Sequence, residues 1–150
     1  MDFYIGQKAE FSKTISEADV YNYAGVVGDF NPIHTNTVYA QNSMFGNRIV
    51  HGMLVMGLIS TVLGMYLPGV GTIYLCQEST FCKPVFIGDT ITAQVAIQDI
   101  DSKGRATLET RCINQHGEVV VKGKSIVKLP QKAGNRSVNI ENVPVVSTAF

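Results

Sequence analysis

A carboxylate and an imidazole stand on either side of a proline-containing turn in Gly28-Asp29-Phe30-Asn31-Pro32-Ile33-His34. Pro32 has a fixed φ and steers Asn31 away from the helical region, so the turn is stiff. A carboxylate and an imidazole on one stiff turn can share a water molecule. Together they offer a base and a proton donor near neutral pH, the minimum for general acid–base chemistry. Asn31 adds an amide that either braces the turn or hydrogen-bonds a ligand. The same residues also fit a structural account in which Asp29 caps the turn, Asn31 braces it and His34 packs inward.

The elements that must carry this turn are legible in outline. Residues 9–14 read as a short strand. Ser16 then serves as a helix N-cap with Asp19 reaching back from the third position, and Val20, Tyr23, Ala24 and Val27 follow at helical spacing. Gly28 ends this helix. A further helical turn is expected from Thr35 to Gln41, and residues 42–50 read as irregular. Gly52 to Leu67 is apolar almost all round, which predicts a helix enclosed by protein on every side. Gly57 and Gly64 on it permit close backbone approach. On this reading Met53, Met56 and Leu63 are core residues, and Ser60 is a buried hydroxyl bonded to a carbonyl one turn back. After Pro68-Gly69 the pattern turns to β: residues 72–83, 90–99, 106–114 and 119–129 are rich in β-branched types, with glycine-bearing turns between them. The expected fold class is α+β, with the long helix on one face of an antiparallel meander. Residues 131–150 have no clear period and read as a tail of unknown role outside the single domain, 1–130.

Composition narrows the function classes. Of 150 residues, 45% are hydrophobic and 16% charged, with 12 basic and 12 acidic side chains. Disorder requires the opposite balance, and nucleic-acid binding wants a basic patch that is absent here. A mean hydropathy of +0.14 at low charge suggests apolar surface buried against another subunit. Cys76, Cys82 and Cys112 form no CxxC pair, so they read as reduced structural thiols of a cytoplasmic protein, and no metal site is expected from them. The opening Met1-Asp2-Phe3-Tyr4 is neither basic nor apolar enough for a secretory signal. The apolar run Met53–Leu67 is short of the roughly 20 residues a membrane span needs, so no membrane partner is expected.

Three segments carry a family resemblance. Gly28 to His34 with Ala40 six residues beyond resembles the signature of the (R)-specific enoyl-CoA hydratases of the MaoC-like dehydratase family. Phe45-Gly46-Asn47-Arg48-Ile49-Val50-His51-Gly52-Met53-Leu54 is similar to the segment entering that family's central helix. Pro84-Val85-Phe86-Ile87-Gly88-Asp89-Thr90 is similar to the turn between long strands in hot dog domains. The resemblance spans about residues 5–129 and implies a hot dog fold, a sheet wrapped around a long central helix.

It also implies a site. The family's catalytic dyad falls on Asp29 and His34, and its oxyanion donor falls on the backbone N–H of Gly52. The first amides of a helix lack intrahelical partners and lie at its positive end, where a thioester oxygen gaining enolate charge is stabilised. Asn31, Met53, Met56, Ser60 and Leu63 are the expected substrate-contacting residues, and His51 reads as structural because His34 already fills the proton-transfer role. The implied reaction is reversible hydration of a trans-2-enoyl thioester of coenzyme A, or of acyl carrier protein, to the (R)-3-hydroxyacyl product. No cofactor is implied, since coenzyme A enters with the substrate. Lys83, Lys103, Arg105, Lys122 and Lys124 are available to its phosphates. A hot dog thioesterase and a non-catalytic thioester-binding subunit are the alternatives. A homodimer is expected, because a wrapped sheet leaves an edge strand that wants covering.

Overall fold

The computed structural model describes residues 2–130, so the tail of unknown role expected at 131–150 lies outside the described residues. The chain runs β1 (Lys8–Thr14), α1 (Glu17–Val27), α2 (Pro32–Thr35), α3 (Thr37–Gln41), α4 (Gly52–Met65), β2 (Ile73–Phe81), β3 (Thr90–Ile100), β4 (Arg105–Ile113) and β5 (Val119–Lys128). All strand pairings are antiparallel, in the order β1-β3-β4-β5-β2. The fold is α+β, and the sheet wraps α4, which packs against β3, β1, β4 and β2. This is the hot dog arrangement that the resemblance implied.

Local rules account for most of these elements. Ser16 and Asp19 form a complete capping box, each accepting from the other's backbone N–H, and start α1. Gly28 ends it in the left-handed region at φ 80°, donating its N–H to Ala24 O at 2.8 Å. Where one helical turn was expected at 35–41 there are two short ones. Asn31 caps α2 with Pro32 at its first position, and Asn36 both ends α2 and caps α3. Inward-facing Ile91, Ala93, Val95 and Ile97 of β3 alternate with outward polar residues and meet Val55, Ile59, Val62 and Leu63 of α4 in one core. Each of these Ile, Val and Leu side chains stabilises the fold by about 1.5–3 kcal/mol when removed from water.

Two expectations are corrected. The four long strands do not form a simple meander. β3, β4 and β5 are joined by hairpins, but β2 crosses over to the far edge beside β5. The 82–89 segment is therefore a crossover rather than a turn between neighbouring strands, and it lies against residues 49 and 50, with Val50 N donating to Val85 O at 2.7 Å. Nor is α4 enclosed on every side within one chain. Met53 (59% exposed), Gly57 and Ser60 lie on one outward stripe at helical spacing, and Met65 is also exposed. Met53 is thus not core and Ser60 is not buried, because the sheet of a single chain curls around only part of the helix. No helix of the described residues is long and apolar enough to cross a membrane. The thiols also divide: Cys112 is buried, and burial pushes it up to about 12, whereas Cys76 and Cys82 are exposed.

Gly123 sets how closely β2 approaches β5. A Cβ built there would lie 1.9 Å from Glu78 O and 2.9 Å from Ser79 Cα, both backbone atoms that cannot rotate away. We expect Gly123→Ala to detach or shift the β2 edge and cost several kcal/mol, in the range of severe core lesions. Chemical denaturation measures this; a midpoint equal to that of the parent would show that the strands part freely.

Candidate active site

The turn after α1 is built by its own side chains. Asp29 Oδ1 accepts from Asn31 N at 3.2 Å, and Asn31 Oδ1 accepts from Ile33 N at 3.2 Å to cap α2. Asn31 therefore spends its side-chain oxygen on the turn. That helix presents His34 inward, only 8% exposed, with Nδ1 2.7 Å from Ile49 O. A carbonyl oxygen only accepts, so Nδ1 carries the proton and the lone pair of the neutral ring sits on Nε2. Burial pushes the His34 imidazole below its usual value and His51 adds to this, against the opposing pull of the Ile49 hydrogen bond and the Asp29 carboxylate. Neutral His34 is thus favoured, with Nε2 free to accept.

Asp29 faces the same space. A ring nitrogen of His34, a ring nitrogen of His51 and a carboxylate oxygen of Asp29 all lie within 4.8 Å of one another. The Asp29 side chain is half exposed, so water and substrate can reach it. His51 is buried, and its Nε2 lies 2.9 Å from Asp29 O, again a group that only accepts. These three residues form a group of potential metal ligands to which the cysteines do not contribute. One of its candidate ligand atoms, His51 Nε2, carries a proton rather than a lone pair.

Gly52 opens α4 directly after His51. Its N–H has no hydrogen-bond partner among the described residues, and His51 as N-cap makes no side-chain capping bond. Gly52 lines a cavity of about 480 Å³ with Met53, Phe45, Ile49, Val55 and Phe81. The Phe81 ring packs so close that a Cβ on Gly52 would lie 2.7 Å from its Cε1. A second groove, of about 510 Å³, lies on the opposite face of the sheet, where Gln94 bonds both Glu10 and Arg111. It has no part in this cluster.

The expected substrate residues are not all brought together. Met53 lines the cavity. Met56 is half-buried against the core, Leu63 is fully inside it, and Ser60 lies on the outward stripe of α4, away from the cavity within one chain. Ser60 stands eight positions along the helix from Gly52, about 12 Å of rise. Among the proposed phosphate contacts, Lys83 reaches the cavity but pairs with Glu118, Arg105 pairs with Asp101 and Lys124 with Glu78.

Three participants were missed or undervalued. Phe81 comes from β2, distant in sequence. Arg48 bonds Tyr21 Oη at 2.8 Å and Glu17 at 2.5 Å, and Tyr21 Oη bonds Thr35 O, so one bracket ties α1, α2 and the 42–50 segment together. His51 reads as structural from the sequence, yet it touches both Asp29 and His34. A signal existed for it: histidine stands where a helix start prefers Ser, Thr, Asp or Asn.

The chain is also similar to known proteins along most of its length. A family model described as "MaoC like domain" matches residues 2–124. An (R)-specific enoyl-CoA hydratase of Rhodospirillum rubrum is 46% identical over 132 residues, covering 87% of this chain and 91% of that protein. Another, from Aeromonas caviae, is 45% identical over 127 residues, covering 84% and 95%. The unliganded R-hydratase of Pseudomonas aeruginosa superposes with a TM-score of 0.84 at 40% identity, covering 87% of this chain and 84% of that one. With its wrapped helix and matches along most of its length, the chain belongs to the MaoC-like domain family.

Proposed function

We propose that the protein reversibly adds water across the 2,3 double bond of trans-2-enoyl-CoA thioesters, giving (R)-3-hydroxyacyl-CoA. The observation that carries this reading is one turn holding an accessible carboxylate beside a neutral imidazole with a free Nε2, next to an unpartnered helix-terminal amide. Names of relatives near 45% identity point to the same substrate class and stereochemistry.

The roles follow from the groups. Asp29 accepts a proton from the water that attacks C3, and His34 Nε2 accepts that water's second hydrogen and so aims its oxygen. Gly52 N–H holds the thioester oxygen as it gains enolate charge. The proton taken from water returns through the dyad to C2, while the hydroxyl stays on C3. Atoms and charge balance without an oxidant, a metal or another cofactor, and coenzyme A arrives with the acyl group. Unpaired thiols on Cys76, Cys82 and Cys112 fit a reducing compartment such as the cytoplasm.

The deciding experiment follows the absorbance of the enoyl conjugation with crotonyl-CoA and a longer homologue, alongside thiol release. Loss of conjugation without free thiol, reversed from the (R)-3-hydroxyacyl product, is the expected result. Thiol released as fast as substrate disappears would make the protein a thioesterase, and no turnover at all would leave a binding subunit.

The working form in this reading is a homodimer. Met53, Gly57, Ser60 and Met65 on α4 are left open, as are Ile73, Leu75 and Phe81 on the β2 edge, and a second copy would cover them. Light scattering with activity across a dilution series tests this: activity should fall as the dimer dissociates. A fully active 16.3 kDa species would overturn it.

A further inference from the structure

We infer that His51 is a positioning residue that sets the spacing between the base and the oxyanion donor. This rests on the hydratase reading and names a part that reading does not use. His51 joins the two halves of the site. Its side chain donates from Nε2 to the main-chain carbonyl of Asp29 at 2.9 Å, and its backbone leads directly into Gly52. One buried residue therefore couples the turn bearing the carboxylate to the first amide of α4.

The surroundings of the ring fix its orientation. One face stacks on His34 with centroids 3.8 Å apart and planes 29° apart, and Tyr23 packs against it at 5.0 Å. His51 Nδ1 is buried with no partner among the described residues, so the ring's only hydrogen bond is the one to Asp29 O. That bond defines the Nε2–H tautomer, with the lone pair on Nδ1. Without it, Asp29 O would lose its buried donor and the turn would move relative to Gly52. Displacement of about 1 Å between reacting groups costs about 10²-fold in rate.

The test compares two amides that differ in reach. In His51→Gln the side-chain nitrogen occupies the place of Nε2, whereas in His51→Asn it stops at the place of Nδ1. We expect His51→Gln to keep kcat within about tenfold of the parent and His51→Asn to lose about 10²-fold, with KM nearly unchanged in both. Thermal unfolding of each variant separates this from loss of fold. A folded His51→Asn with parental kcat would overturn the inference, and so would a folded His51→Gln that falls as far as His51→Asn. The second readout needs no activity: long-range ¹H–¹⁵N spectra of the unmodified protein should show His51 as the Nε2–H tautomer. The Nδ1–H tautomer would overturn the positioning role. Failure of the parent to hydrate any enoyl-CoA, with the Nε2–H tautomer present, would count against the hydratase reading alone.

Discussion

Replacing Asp29 by Asn is expected to leave the protein folded and to lower enoyl-CoA hydration by about 10²–10⁴-fold, the range for loss of a positioned proton-transfer group. The change is nearly isosteric. An asparagine oxygen can still accept from Asn31 N, so the turn keeps its internal bond. The side chain is half exposed, so no buried charge is removed and stability should change little. What disappears is the ability to take a proton from water. His34 needs a different substitution, because alanine there would strand Ile49 O and leave a gap beside His51. His34→Asn keeps a nitrogen donor at the place of Nδ1 while removing Nε2 with the outer edge of the ring, and it should lose activity in the same range. The measurement is kcat/KM with crotonyl-CoA together with circular dichroism; Asp29→Asn at parental rates would remove the dyad from the mechanism.

Gly52 offers the second large effect, and it can be isolated by a pair of variants. Proline at the first position of a helix is tolerated because that N–H has no intrahelical partner, and its fixed φ suits the helix. His51, at ψ 128°, already has the conformation that a following proline demands. Gly52→Pro therefore deletes the amide proton while retaining the helix. Gly52→Ala keeps that proton. Both variants introduce a Cβ that presses on the Phe81 ring, a side chain able to swing aside. The difference between them reports the N–H itself, and loss of one such donor costs about 10²–10³-fold in kcat. Equal activity of the two variants would mean that the thioester oxygen is held elsewhere.

Much of this protein could be read locally. The capping box at Ser16–Asp19 and the proline-bounded turn depend on side chains bonding within three residues of themselves, and the stop at Gly28 on a backbone bond four residues back, so sequence alone determined them. The same holds for strand extents, since alternation along β3 and β4 records which face is buried, and for the closeness of Asp29 and His34, which share one turn.

Alternation does not record which strand lies alongside. The place of β2 beside β5 rests on the glycine gap at Gly123 and on pairings such as Phe81 with Val121, about 40 residues apart. That long-range closure brings Phe81 over Gly52 and leaves one stripe of α4 open. It is also why α4, apolar almost all round, is not enclosed within one chain, and why Met53 and Ser60 lie outside that chain's core. His51 shows the limit most clearly. Its position in the chain marks it as a helix entry, but its bond to Asp29 O, 22 residues away, and its stacking on His34 exist only once α1, α2 and α4 meet. Chemistry within a turn is set by bonds between near neighbours. Chemistry between turns is decided by packing, because only the folded core fixes the distance between them.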